Sequence, residues 1–211
     1  MFTVVTLIIL GTLLGKVLMQ LFKKQPTPAP AGPAQDLANL KVTDARAGDA
    51  ISVSGAGENF SDLDFTADRL TRYQAGARRW FELGGPYQER RVALRVGGDE
   101  ELEVSVHSDG RTLSIEDLGL AEEDLAEMDE RQNTADSFEF DNKVWLYRLS
   151  REVQATRDDQ AVATGFYYWE FQEQNGKGLL GIRKAEGEPF VVTLYARISA
   201  ADVTIYRATR A

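Results

Sequence analysis

Two glutamates of this chain sit in matching surroundings. Trp80-Phe81-Glu82-Leu83 aligns without gaps on Tyr168-Trp169-Glu170-Phe171, each string reading aromatic, aromatic, glutamate, apolar. In an extended strand, alternation puts Glu82 on the side of Trp80, and Glu170 on the side of Phe166 and Tyr168. Two carboxylates brought together do acid–base work when their surroundings split their pKa values. The competing use is structural. A carboxylate taken out of water needs donors, and Arg91, Arg95, Arg183 or Arg197 could supply them. A third use is binding. Trp80, Trp145, Trp169 and neighbouring tyrosines, set beside glutamates, would suit a polyamine or another cationic ligand. Aromatics also simply fill small β cores. The structural use is the expectation; Trp80, Glu82, Tyr168, Trp169 and Glu170 are the candidate ligand-binding set.

The remaining chemistry is sparse. The 211 residues include no cysteine and one histidine, His107. This removes disulfides, thiolate metal sites and cysteine nucleophiles, and a zinc site would need carboxylates almost alone, which is unusual for zinc. His107 falls on the polar side of ELEVSVH, before Asp109-Gly110, and a solvated surface histidine is expected. No G-x-S-x-G, GxxxxGK[ST] or GxGxxG string occurs. Ser61-Asp62-Leu63-Asp64 and Asp158-Asp159 lack the spacing of a calcium loop and read as surface turns. No catalytic residue, metal or cofactor is expected. The net charge is −9; with Lys16, Lys23 and Lys24 set aside, and no acid in the first 35 residues, the remainder carries −12. Nucleic acid is therefore an unfavourable partner and a cationic one is better matched.

The elements that must position these groups are mostly strands. Period-two alternation runs through Glu101–His107, Phe190–Ile198 and Val203–Ile205. Further strands are expected at Ala50–Ser54, Leu63–Thr66, Arg78–Leu83, Arg91–Val96, Val144–Leu149, Gly165–Gln172 and Leu179–Arg183. Asp109-Gly110 predicts a hairpin from ELEVSVH into RTLSI, and Asn175-Gly176 one from YYWEF into GLLGI. Leu118, Ala121, Leu125 and Met128 recur at helical spacing, which predicts a short amphipathic helix over 118–131 with a solvated acidic face. The fold class is mainly β: an antiparallel open barrel or sandwich over 36–211. The helix divides two related β units, 36–115 and 138–211, which the WFEL and YWEF strings echo.

The N-terminus reads differently. Phe2 to Phe22 is an apolar run of 21 residues interrupted by Lys16. As a helix it would span about 31 Å, the thickness of a bilayer core. The positive charges follow the run, which favours an uncleaved transmembrane anchor (1–24) over a signal peptide. The same lysines predict the N-terminus outside and the domain in the cytoplasm, at a bacterial inner membrane. Gln25–Gln35, QPTPAPAGPAQ, is a stiff proline-rich linker.

LANLKVTDARAGDAISVSG, then WFEL and RVALRV, then YYWEF, QNGKG, LLGIRKAEG and ISAADVTIYR, together resemble the bacterial domain-of-unknown-function family 4178 over roughly Leu37 to Arg207. The resemblance implies a β-rich bacterial domain without an assigned reaction. It also implies a genomic setting beside small membrane proteins and a polyamine aminopropyltransferase-like enzyme, in envelope or membrane stress. The functional expectation is a membrane-tethered, non-enzymatic domain that docks a protein partner. The alternative is a binding domain for a small cation such as a polyamine; an enzyme of unknown type ranks below both.

Overall fold

Every strand pairing among the described residues is antiparallel, and the turns show why. In the computed structural model, which describes residues 40–98, 101–158, 160 and 162–207, Asp141 and Asn142 both take positive φ (53° and 58°) between paired Phe140 and Lys143. That backbone closes a two-residue hairpin and matches strand twist. Gly76 at φ 63° does the corresponding work between Ala75 and Arg78. The expected anchor and linker lie outside the described residues. Among the residues described, no helix is long and apolar enough to cross a membrane.

Twelve strands are found among the described residues: β1 Ala50–Val53, β2 Leu63–Thr66, β3 Arg69–Ala75, β4 Arg78–Tyr87, β5 Arg90–Gly97, β6 Glu103–His107, β7 Ser137–Phe140, β8 Lys143–Arg157, β9 Thr164–Glu173, β10 Gly178–Lys184, β11 Val191–Ile198 and β12 Val203–Tyr206. Eight of them form a ring in the order β3-β4-β5-β6-β11-β10-β9-β8, closed where β8 pairs back onto β3 from Thr71↔Arg157 to Gln74↔Gln154. The fold is therefore mainly β, an eight-stranded antiparallel barrel. β12-β1-β2 form a separate three-stranded sheet, and β7 extends the pairing beside the start of β8. One α-helix is described, α1 at Glu122–Arg131. It starts later than the spacing predicts, because Leu118 ends a single 3-10 turn and Gly119 then turns left-handed at φ 73°.

The barrel wears its apolar residues outside. Leu83, Val92, Leu94, Val96, Val104 and Val106 from β4–β6 pack against Ile51, Val53, Leu63, Phe65 and Ile205 of the small sheet. On the second meander, Trp145, Tyr147, Trp169, Phe171, Leu180 and Ile182 pack under Leu125 and Met128 of α1. Strand alternation then turns the other, polar side chains into the lumen.

Two expectations fail here. RTLSI is not the partner strand of ELEVSVH: β11 occupies that edge of β6, with Ala196 opposite Val106, so Leu113 makes only an isolated bridge to Val192. Leu102, which alternation puts on the same side as Val104 and Val106, precedes β6 and is 51% exposed while those two are buried.

Candidate functional site

Glu82 and Glu170 both point into the lumen but meet different surroundings. Glu170, 1% exposed, receives Arg78 Nη1 at 2.9 Å and Arg95 Nη2 at 2.5 Å, and Arg148 Nη1 lies 3.3 Å away. Burial pushes its carboxyl up, but the three guanidiniums together outweigh that and hold it below the usual carboxylate range. Arg148 reaches the lumen through a bulge. The β8–β9 register jumps between Tyr147↔Phe171 and Leu149↔Glu170, so Arg148 is the extra residue and its side chain is re-aimed inward. The same arginines serve Glu103, which accepts from Arg197 at 2.8 Å, and from Arg78 and Arg148 at 3.4 Å each. This network of two glutamates and four arginines plugs the barrel end where β6 and β8 begin.

The other end is open. A cavity of about 940 Å³ enters where β3, β5, β9 and β11 begin. Glu82 stands on its wall, accepting the Tyr73 hydroxyl at 3.0 Å and the Tyr195 hydroxyl at 2.8 Å. Tyr73 stacks on Trp80 with centroids 5.1 Å apart and planes 9° off parallel, and Phe166 meets Tyr73 edge-on at 6.1 Å. Beneath them Arg95 lies over the Trp80 ring at 4.8 Å and donates to the Tyr168 hydroxyl at 2.8 Å. Burial pushes the hydroxyls of Tyr73, Tyr168 and Tyr195 well above the usual phenol range, and neighbouring glutamates push the same way. These tyrosines stay protonated and act as donors rather than as bases.

Tyr168 fits because Gly181, two residues before its β10 partner Arg183, has no side chain. A Cβ at Gly181 would stand 2.5 Å from the Tyr168 oxygen and 2.8 Å from its ring. Five arginines line the cavity: Arg69, Arg91, Arg111, Arg157 and Arg183. Arg91 pairs with Asp68 at 2.5 Å, Arg69 lies 3.5 Å from the same carboxylate, and Arg111 pairs with Asp109 and Asp141 at 2.7 Å each.

Of the five candidate residues, the lumen brings together Trp80, Glu82, Tyr168 and Glu170. Trp169 is not among them. It faces outward in the α1 core and donates its Nε1 to the Leu125 carbonyl at 3.1 Å. Trp145 is likewise outside, because odd-numbered residues before the β8 bulge face the helix. His107 is not a solvated surface residue: it lines the cavity, its Nδ1 is 2.8 Å from the Leu194 carbonyl, and its ring meets Tyr195 edge-on at 5.8 Å. Alternation placed it on the polar side correctly; that side is the lumen. Of the four candidate arginines, Arg95 holds Glu170 and Arg197 holds Glu103, whereas Arg91 and Arg183 line the cavity, Arg91 paired with Asp68. Sequence reasoning missed Tyr73, Tyr195, Arg78, Arg148 and Glu103. No motif marks them, since they converge from separate strands. Among the described residues no cluster of three or more histidine, aspartate or glutamate side chains is placed to hold a metal ion. Comparison with family models, curated proteins and solved structures returns no match for this chain.

Proposed function

We propose that the chain is a non-enzymatic, membrane-tethered binding module whose barrel takes a small amine-bearing molecule through its open end. One observation carries this reading. Of the three inward-facing glutamates, Glu170 and Glu103 are each surrounded by three arginines, while Glu82 has no cation within ion-pair distance among the described residues. Glu82 faces a cavity walled by tyrosine, tryptophan and phenylalanine, surroundings that favour an ammonium group. Its two tyrosine donors fill about two of a carboxylate's roughly four acceptor positions, leaving room for a ligand N–H. Titration calorimetry of the full chain in detergent, with a panel of primary amines and spermidine, tests this reading. Heat that disappears in Glu82→Gln supports it; no heat for any amine at millimolar concentration ends it.

The tether is part of the same proposal. It is supported by the apolar run at 2–22, the lysines that follow it and the proline-rich stretch at 25–35. A phosphatase reporter fused after Ala211 tests the orientation; strong activity outside the cytoplasm would reverse it. The topology supports a relationship between two units as well. β3–β6 and β8–β11 are each four-stranded meanders, and WFEL and YWEF fall on the second strand of each, with the same residues inward. We take these as related units of a domain resembling family 4178.

A docked protein partner is a second reading, favoured by Phe60. This residue lies between β1 and β2, is 92% exposed, and holds a positive φ of 62°. A bulky side chain in that backbone region is strained, and such strain concentrates at functional positions. Pull-down from solubilised membranes with the native chain and Phe60→Ser tests it; identical captured proteins would remove the role of Phe60.

A further inference from the structure

We propose that the ligand is zwitterionic, with its ammonium group on Glu82 and a carboxylate or phosphate group held at the cavity mouth by Arg183. This rests on the amine reading above and adds to it the second charge. Arg183 sits near the end of β10, opposite Tyr168 on β9 and Val191 on β11, and lines the cavity. Arg69, Arg91 and Arg111 at the same mouth already have aspartates nearby. Arg183 has no carboxylate within ion-pair distance among the described residues, and its side chain is exposed to the cavity opening.

Inside the barrel, Glu82 therefore has no cation within ion-pair distance among the described residues and, nearer the opening, Arg183 has no carboxylate within that distance; Asp117 and Glu188 line the same cavity. Tyr73 lines the same cavity. Its hydroxyl donates to Glu82 at 3.0 Å, and its ionisation feels the Glu82 charge and the Arg183 charge in opposite senses. An acidic chain with a net charge of −9 would draw in a polycation, but a polycation threading this mouth would pass Arg183, whose charge no carboxylate offsets at ion-pair distance among the described residues. A molecule with opposite charges at its two ends satisfies both sites, and like charges placed at either end are rejected. Arg183 is suited to the anionic end, because its planar donor fork matches carboxylate and phosphate oxygens.

The test is calorimetry on the full chain in detergent with matched probes: ω-amino acids from glycine to 6-aminohexanoate, phosphoethanolamine, alkylamines and alkanoates of the same lengths, and spermidine. The expected result is one zwitterion of fitting length that binds at least ten-fold more tightly than its matched amine. Arg183→Gln should reduce it to the affinity of that amine while leaving the amine itself unchanged. Arg183→Lys should restore part of the difference, and unaltered melting of both variants establishes that they fold. The carboxylate and phosphate arms show which anion is preferred. Spermidine or alkylamines binding as tightly as every zwitterion, with Arg183→Gln neutral or strengthening, would overturn this inference and leave the amine reading standing. Alkanoates binding alone, with no response to Glu82→Gln, would overturn both, as would the absence of all binding.

Discussion

Arg95 stands directly across the β4–β5 ladder from Glu82, yet its guanidinium is committed to Glu170 on β9 at 2.5 Å. Glu170 is the more buried acid, and Arg95 is the first of three guanidiniums that offset its burial. The consequence is a division of labour between two glutamates in equivalent strings. One closes the barrel floor, and the other is left on the cavity wall with tyrosines in place of arginines.

Glu170→Gln should destabilise the barrel by about 3–5 kcal/mol, because it leaves Arg78, Arg95 and Arg148 close together without their shared anion. Urea unfolding at pH 7 measures this. The native protein carries the corresponding acid sensitivity. The Glu170 carboxyl titrates lower when folded than when unfolded, so its contribution is complete above the unfolded carboxylate range and is lost as pH falls through the folded value. Urea midpoints below pH 4 should fall more steeply for the native chain than for Glu170→Gln.

Gly181→Ala tests the packing that aims Tyr168 at Arg95. The added methyl would meet a buried ring rather than the free end of a flexible chain. A cost of about 1–3 kcal/mol is expected, typical of overpacking, with a changed near-ultraviolet circular dichroism spectrum. An unchanged melting temperature and spectrum would show that Tyr168 has room to yield.

How legible was this in the sequence? Strands with an apolar side, such as Phe190–Ile198 and Glu101–His107, could be read from alternation, and so could the mainly β class. Alternation separates two sides without saying which is concave. Here the apolar side is convex, because the small sheet and α1 cover it, and the polar side forms the lumen. That is why His107 read as a surface residue and why Trp169 was grouped with Tyr168. β3 was overlooked because its inward residues, Thr71 and Tyr73, break the apolar signal. β7 was overlooked because its hairpin uses Asp141-Asn142 rather than a glycine turn. The arginines around Glu170 could be named only in part. Arg95 was among the candidates, whereas Arg148 depends on a bulge that no local string announces.

The covering of the barrel's outer face is also open to test. Leu125 is fully buried between α1 and the β9–β10 surface. Leu125→Ala should cost about 2–5 kcal/mol, the range for a buried leucine truncated in a packed core. Trp169→Phe keeps most of the ring but leaves the Leu125 carbonyl without its indole donor, so a loss nearer 1 kcal/mol is expected. Thermal unfolding of both variants checks the order. A larger loss for Trp169→Phe would mean that the hydrogen bond, rather than the apolar contact, fastens the helix.

Glu82→Gln should behave unlike Glu170→Gln, although the two acids occupy matching strings. Among the described residues no arginine lies within ion-pair distance of Glu82, so the loss falls mainly on two charge-assisted tyrosine bonds, about 1–3 kcal/mol in total. The distinguishing signature lies at high pH. Burial, and after it the Glu82 charge, raises the Tyr73 and Tyr195 hydroxyls above their unfolded value of about 10. Their contribution to stability is therefore full below pH 10 and is lost as pH rises toward the folded values. Neutralising Glu82 lowers those folded values and makes the alkaline loss shallower. Tyrosine ionisation followed by absorbance should begin earlier in Glu82→Gln than in the native protein. Superimposable curves would mean that burial alone sets these hydroxyls, and that Glu82 is free to meet a ligand without consequence for the tyrosines that flank it.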